Sequence, residues 1–140
     1  MSVASTWLDI VVGVDLHIEV VPTPVPTPTP FPHPHCSVVF DPVGYIVGEV
    51  VGALVAMAMG TPVQGGGPVL IGGRMSTVTG DSASMPVKHI LIPPGTTFVT
   101  GITPSDAELL VGSKTVLVRG SNAVRAGDVA LSCSEPVRLP

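Results

Sequence analysis

The chain has 140 residues, enough for one domain and too few for two comfortable ones. Its net charge of −4 and pI near 5.3, with six Lys and Arg scattered from Arg74 to Arg138, leave no basic stripe and exclude nucleic acid as the expected partner. Gly and Pro number 16 each, but an apolar fraction of 45% and a mean hydropathy of +0.58 set the chain apart from disordered low-complexity sequence. The apolar residues are mostly Val, Ile, Leu and Ala, which suits short strands joined by Gly and Pro turns, so the expected fold class is mainly β. No basic region precedes an apolar stretch at the N-terminus, and Asp9 and Asp15 interrupt it, so a chain without a signal peptide, made in the cytoplasm, is expected. In that compartment Cys36 and Cys133 are expected to be free or metal-bound.

Along the chain, residues 1–20 end in the alternating run Val14-Asp15-Leu16-His17-Ile18-Glu19-Val20, which puts Asp15, His17 and Glu19 on one face of a strand. Proline then recurs at every second residue from Pro22 to Pro34, which fixes φ and removes half the backbone donors, so residues 22–34 are predicted to be extended. A linker or a ligand for a Pro-binding module is the plain reading. Against it, the segment ends in Phe31-Pro32-His33-Pro34-His35-Cys36, too rich in metal-ligating groups for a spacer. Residues 45–60 are the most hydrophobic. They are shorter than the ~20 residues needed to cross a bilayer, carry Glu49, and predict a short apolar helix over about 45–59. Gly48, Gly52 and Ala56 give that helix a smooth face, for packing on its own domain or for a partner that covers an exposed patch.

Residues 65–140 contain a repeat. Val69-Leu70-Ile71-Gly72-Gly73-Arg74-Met75-Ser76-Thr77-Val78-Thr79-Gly80-Asp81 aligns with Val116-Leu117-Val118-Arg119-Gly120-Ser121-Asn122-Ala123-Val124-Arg125-Ala126-Gly127-Asp128. Each copy reads as a short strand, a Gly turn, a second short strand and a Gly-Asp turn, a hairpin with turn residues at both ends. Two such hairpins in one domain suggest pseudo-symmetry, which suits a protein that docks on a symmetric oligomer.

The second copy, followed by Cys133, resembles the repeat of PAAR proteins, with Asn122-Ala123-Val124-Arg125 in the place of Pro-Ala-Ala-Arg. Asp15-Leu16-His17, the Pro-Thr-Pro run, Pro32-His33-Pro34, Val39-Phe40-Asp41-Pro42, Lys88-His89-Ile90 and 130–136 are similar to the PAAR domains that head Rhs-type polymorphic toxins. The resemblance implies a small cone-shaped, pseudo-symmetric assembly of hairpins forming one domain over 1–140. It implies that the domain caps a trimeric valine–glycine-repeat spike of the type VI secretion system, one tip per trimer, and sharpens it for membrane puncture. Cargo effectors or a C-terminal toxin extension would travel with it into target cells, and a chaperone could cover 46–59 before loading. Whether the sequence is an excised tip domain or a short orphan tip stays open.

The resemblance further implies one structural zinc near the vertex, held by three histidines and a cysteine. His17, His33, His89 and Cys133, one from each segment that must converge, form the expected set, with His35 and Cys36 in reserve. Within an extended strand His33 and His35 point to one side and Cys36 to the other, where it is expected to be a small buried hydrophobe. Such a chain is expected to be structural and not an enzyme. A zinc hydrolase would need an open coordination position and a base, for which Asp15 and Glu19 are the candidates. A polyproline-bearing adaptor with a structural zinc site is the other alternative.

Overall fold

The computed structural model describes residues 3–22, 24–60, 68–92, 94–99 and 104–134. It is mainly β with one helix, as the composition predicts. β1 (Ile10–Val21) and β2 (Thr27–Val39) form a long antiparallel hairpin, and α1 (Pro42–Ala58) follows directly. Then come the two-residue strands β3 (Leu70–Ile71) and β4 (Arg74–Met75), β5 (Ser82–Lys88), β6 (Thr97–Phe98), β7 (Pro104–Leu109), the short pair β8 (Leu117–Val118) and β9 (Ser121–Asn122), and β10 (Ala130–Leu131). Six of these make one sheet in the order β10-β7-β5-β2-β1-β6, while β3-β4 and β8-β9 are the two hairpins read from the repeat.

From Thr27 on, the proline run is a strand and not a free polyproline ligand: residues 27–38 pair with β1 along its whole length. Alternate residues of a strand direct their N–H groups to the same edge, and proline has none to give. The ladder to β1 therefore runs through Thr27, Thr29, Phe31, His33 and His35, and the prolines at 28, 30, 32 and 34 put their missing donors on the other edge. That edge is paired with β5 only at Val38 and Val39. The prolines also take the solvent face, which turns His33, His35, Ser37 and Val39 inward. Cys36 shares the outer face and is exposed, which corrects the expectation that it is buried.

α1 starts three residues before the predicted helix because Asp41 caps it. Asp41 Oδ1 accepts from Gly44 N at 2.7 Å, and Pro42 occupies the first turn, where no donor is needed. A Cβ at residue 44 would lie 2.5 Å from Asp41 Oδ2, so any larger residue there would push the Asp41 cap aside. Asp41 Oδ2 also accepts from Ser82 N at 3.1 Å, tying the cap to β5. The helix ends at Gly60, with φ +64°. Packing of α1 on its own domain is not found: among its described residues none is buried, and Ile46, Val50, Leu54 and Met57 are exposed. Its base is anchored instead, by Trp7 edge-on to Phe40 and Tyr45 and by the Arg119 guanidinium 4.7 Å over the Tyr45 ring.

Apolar packing is modest. Val39, Ala83, Ala107, Leu109 and Val124 form one small cluster and Val78, Val118 and Ala123 another. The largest fully buried side chains include His17, His33, Glu19 and Asp15, so the upper interior is polar.

Candidate metal centre

The base that carries the centre is built from three copies of one short motif. Segments 75–81 and 122–128 are the ends of the two sequence repeats, and segment 3–9 is a third copy that the repeat alignment missed. In each copy an aspartate accepts from the backbone N–H three residues earlier: Thr6 N to Asp9 at 2.7 Å, Val78 N to Asp81 at 2.9 Å, Arg125 N to Asp128 at 2.9 Å. The residue before each aspartate has positive φ: Leu8 at 73°, Gly80 at 94°, Gly127 at 91°.

The three copies bond head to tail in closed rings. Ser5 N donates to Val124 O, Val124 N to Thr77 O and Thr77 N to Ser5 O, at 2.9, 3.1 and 3.2 Å. A second ring runs Trp7 N to Met75 O, Thr79 N to Asn122 O and Ala126 N to Val3 O, at 2.7, 3.0 and 2.8 Å. The bridges Ala4–Arg125, Thr6–Ser76 and Val78–Ala123 repeat the same step a third time. Backbone hydrogen bonds that close on themselves after three equivalent steps define a pseudo-three-fold axis within one chain. The ring residues Ser5, Thr77 and Val124 lie against that axis and are buried.

A strand rises from each aspartate: β1 after Asp9, β5 after Asp81, β10 after Asp128. These three strands, and the short runs that follow β5 and β10, deliver the site. Asp15 and His17 come from β1, His89 from just past β5, and Cys133 from just past β10. One ligand-capable atom from each of the four lies within 4.8 Å of the other three. Cys133 Sγ is 3.3 Å from His89 Nε2, 3.8 Å from His17 Nε2 and 3.1 Å from Asp15 Oδ2, and His89 Nε2 is 3.2 Å from the same oxygen. Zn–N and Zn–S bond lengths set tetrahedral edges of about 3.3–3.6 Å. The quartet is thus spaced for a four-coordinate cation.

Protonation in the metal-free chain follows from the same contacts. Burial pushes the Cys133 thiol up to about 12, aided by its hydrogen bond to Asp15, so Sγ–H donates to the carboxylate. For Asp15 burial works upward, but hydrogen bonds from Ser132, Cys133 and His35 outweigh it and hold the carboxyl below its ordinary value. Burial, with the neighbouring His17, lowers His89 and keeps its imidazole neutral, the form that ligates metal. Asp15 Oδ2 is the hub: it also accepts from His35 Nδ1 at 2.6 Å, and His35 Nε2 accepts from Ser37 Oγ at 2.9 Å. This Asp–His–Ser chain holds the Asp15 carboxylate in place, and Ser37 is fully buried.

Of the residues singled out from sequence, His17, His89 and Cys133 come together, with Asp15 in the place expected for His33. His33 stands beside them, its ring centroid 5.4 Å from that of His17 and 5.7 Å from that of His89. Its Nδ1 donates to Ile90 O at 3.1 Å, and its Nε2 stands 2.9 Å from Glu19 Oε1. Both side chains of that contact are fully buried. Glu19 is held in turn by Thr96 Oγ1 and by Ile92 N at 3.3 Å. His35 backs Asp15, and Cys36 points away to solvent. The alternation of β1 groups Asp15 with His17 on one face, and that shared face is the signal in the sequence for a carboxylate ligand beside the imidazole.

Neither a family model, nor a curated protein, nor a solved structure matches this chain.

Proposed function

We propose that this chain is a zinc-stapled tip that caps a trimeric spike, of the PAAR type that its motifs resemble, and that its role is mechanical, without turnover. The observation that carries the reading is the closed three-fold ring of the base. A single chain that sits on the blunt end of a trimer must present one kind of surface three times, and the base repeats one backbone motif three times around an axis. The partner is a valine–glycine-repeat trimer of a type VI secretion spike, one tip per trimer, loaded in the cytoplasm and driven with cargo into the target cell.

The centre suits the other end of such a tip. A tapering apex holds too few residues for an apolar core, and each ordered residue costs roughly 1–2 kcal/mol of backbone entropy. A structural zinc offers on the order of 10 kcal/mol in its place. Asp15, His17, His89 and Cys133 together fill a tetrahedron and leave no open position for a substrate. The resident ion is zinc in this reading because a thiolate with two imidazoles and one carboxylate suits a borderline-soft cation. Against a hydrolase, Asp15 and Glu19, its candidate bases, are both fully buried. Against a polyproline adaptor, residues 27–34 are locked into the sheet.

The test is to mix zinc-loaded chain with candidate spike trimers and weigh the product by native mass spectrometry. One chain per three spike subunits is expected. No complex, or three chains per trimer, overturns the reading.

A further inference from the structure

α1 is an addition to the connection that carries it. Val39 N donates to Asp9 O at 2.9 Å and Leu109 N to Asp81 O at 3.0 Å, so β2 and β7 end at equivalent places. Ser76 N donates to Val69 O at 2.9 Å and Ala123 N to Val116 O at 3.0 Å, so the two short hairpins begin at equivalent places. One connection runs only over residues 110–115, the other over residues 40–68, which hold α1. The short one shows that the fold can be joined without a helix, and none of the residues of α1 is buried. Gly44, Gly48, Glu49 and Gly52 face a cleft of about 820 Å³ against residues 78–81 and 119–121. The helix therefore turns its one charge and its smallest residues to the base. Its large apolar side chains, such as Ile46, Val50, Leu54 and Met57, are 53–69% exposed.

The β1–β2 hairpin carries a second such surface. An antiparallel pair with one face in water ordinarily alternates apolar-in and polar-out. Here Asp15, His17, Glu19, His33 and His35 turn inward and are buried. The six outward cross-strand pairs, from Ile10–Val38 to Val20–Pro28, carry no polar group but the Cys36 thiol. Ile10, Val12 and Val14 are 66–69% exposed. The residues outside the described part bring only four Val, Ile or Leu side chains, too few to cover both this face and the helix. Apolar surface of that extent is covered by something outside the chain.

We propose that two copies of this chain pair about a two-fold axis, α1 of each lying on the outer face of the other's β1–β2 hairpin. The chain carries both halves of such a contact. Its own helix is held off its own hairpin face, with the root tied to Ser82 by Asp41 and the length lying over residues 78–81 and 119–121. Area decides between two-fold arrangements. α1 has 17 residues, a rise of roughly 26 Å, and the outward hairpin face runs for about 35 Å. A helix crossing only its own copy buries on the order of 700 Å² in total, whereas two helix-on-hairpin contacts bury roughly 1,800 Å², within the range of about 1,200–2,000 Å² of stable interfaces. Neither surface includes a ring residue of the base, so pairing and the capping of a trimer are separate events, and the pairing does not rest on the spike-tip reading.

The test is sedimentation velocity of the full zinc-loaded chain over a dilution series, where a dimer that parts to monomer on dilution is expected. Val14→Lys on the hairpin face and Leu54→Glu on the helix, both at exposed positions, should each raise the dissociation constant at least tenfold with zinc content unchanged. Mixed together, the two variants should pair with each other, because the mixture keeps one natural contact and sets Lys against Glu in the other. That rescue separates helix on hairpin from helix on helix. If either variant fails to fold, the Cys36 thiol of the natural chain decides: under the other copy's α1 its labelling by a maleimide should slow at least tenfold in the dimer. A monomer at every concentration, a dimer that both variants leave intact, a mixture no better paired than its components, or equal Cys36 labelling in monomer and dimer overturns the proposal. So does a monomer that floats with phosphatidylcholine vesicles, which assigns both surfaces to lipid.

Discussion

Replacing Cys133 with alanine separates the two states of the centre. In the metal-free chain the thiol contributes one hydrogen bond to Asp15 at 3.1 Å, and the carboxylate keeps its bond from His35 at 2.6 Å. Losing it should cost about 1 kcal/mol. With zinc present, the same change deletes one of four ligands. Free zinc a thousandfold above its dissociation constant stabilises the native state by about 4 kcal/mol. At roughly 2–4 °C per kcal/mol for a chain of this size, that is a rise in Tm of about 8–16 °C. Thermal melts of both proteins in excess zinc and in excess chelator give the four values needed. The natural chain should show the full gap, and Cys133→Ala should keep less than about a quarter of it while its chelated form melts within a few degrees of the natural one. A variant that retains the whole gap, or a natural chain that binds zinc without gaining stability, would refute the assignment.

Other changes probe the remaining parts. Asp15→Asn should lower zinc content below one per chain, whereas His33→Gln should leave it at one; the reverse order, read by elemental analysis after dialysis, would move the fourth position to His33. Gly80→Ala and Gly127→Ala meet nothing within 4 Å, so each should cost only the backbone strain of positive φ, about 1–2 kcal/mol by denaturant unfolding. Unequal costs beyond about 0.5 kcal/mol would argue against equivalent positions. Asp128 is held below its ordinary carboxylate value by the side-chain hydrogen bond from Arg125, so its contribution is present above the unfolded value near 3.8 and is lost as pH falls through the lower folded value. Acid unfolding of Asp128→Asn should therefore converge with that of the natural chain at the lowest pH and diverge above it.

Several parts of this structure were legible in the sequence because one local signal decided them. The alternation of residues 14–20 gave the polar face of β1, and the glycine turns inside the two repeat copies gave both short hairpins. The third copy of the base escaped because Leu8 stands where the other copies have glycine, at φ 73°, and no glycine turn marks it. Asp9 was the surviving trace. Of the proline run, residues 27–34 are extended, but polyproline and proline-bearing strand share the same φ, and only the register with β1 distinguishes them. Apolar composition alone could not reveal that α1 stands unburied, since burial is a property of what surrounds a helix. Likewise the spacing of His33 could not reveal that its ring tips toward Ile90 and Glu19 while Asp15 occupies the nearer place.

The most direct measurement is anomalous scattering at the zinc edge from crystals of the zinc-loaded chain. One peak per chain is expected, about 2.0–2.3 Å from the Asp15 oxygen, the His17 and His89 nitrogens and Cys133 Sγ. A peak elsewhere, or none at full zinc load, would contradict a metal-clamped apex above the three-fold base.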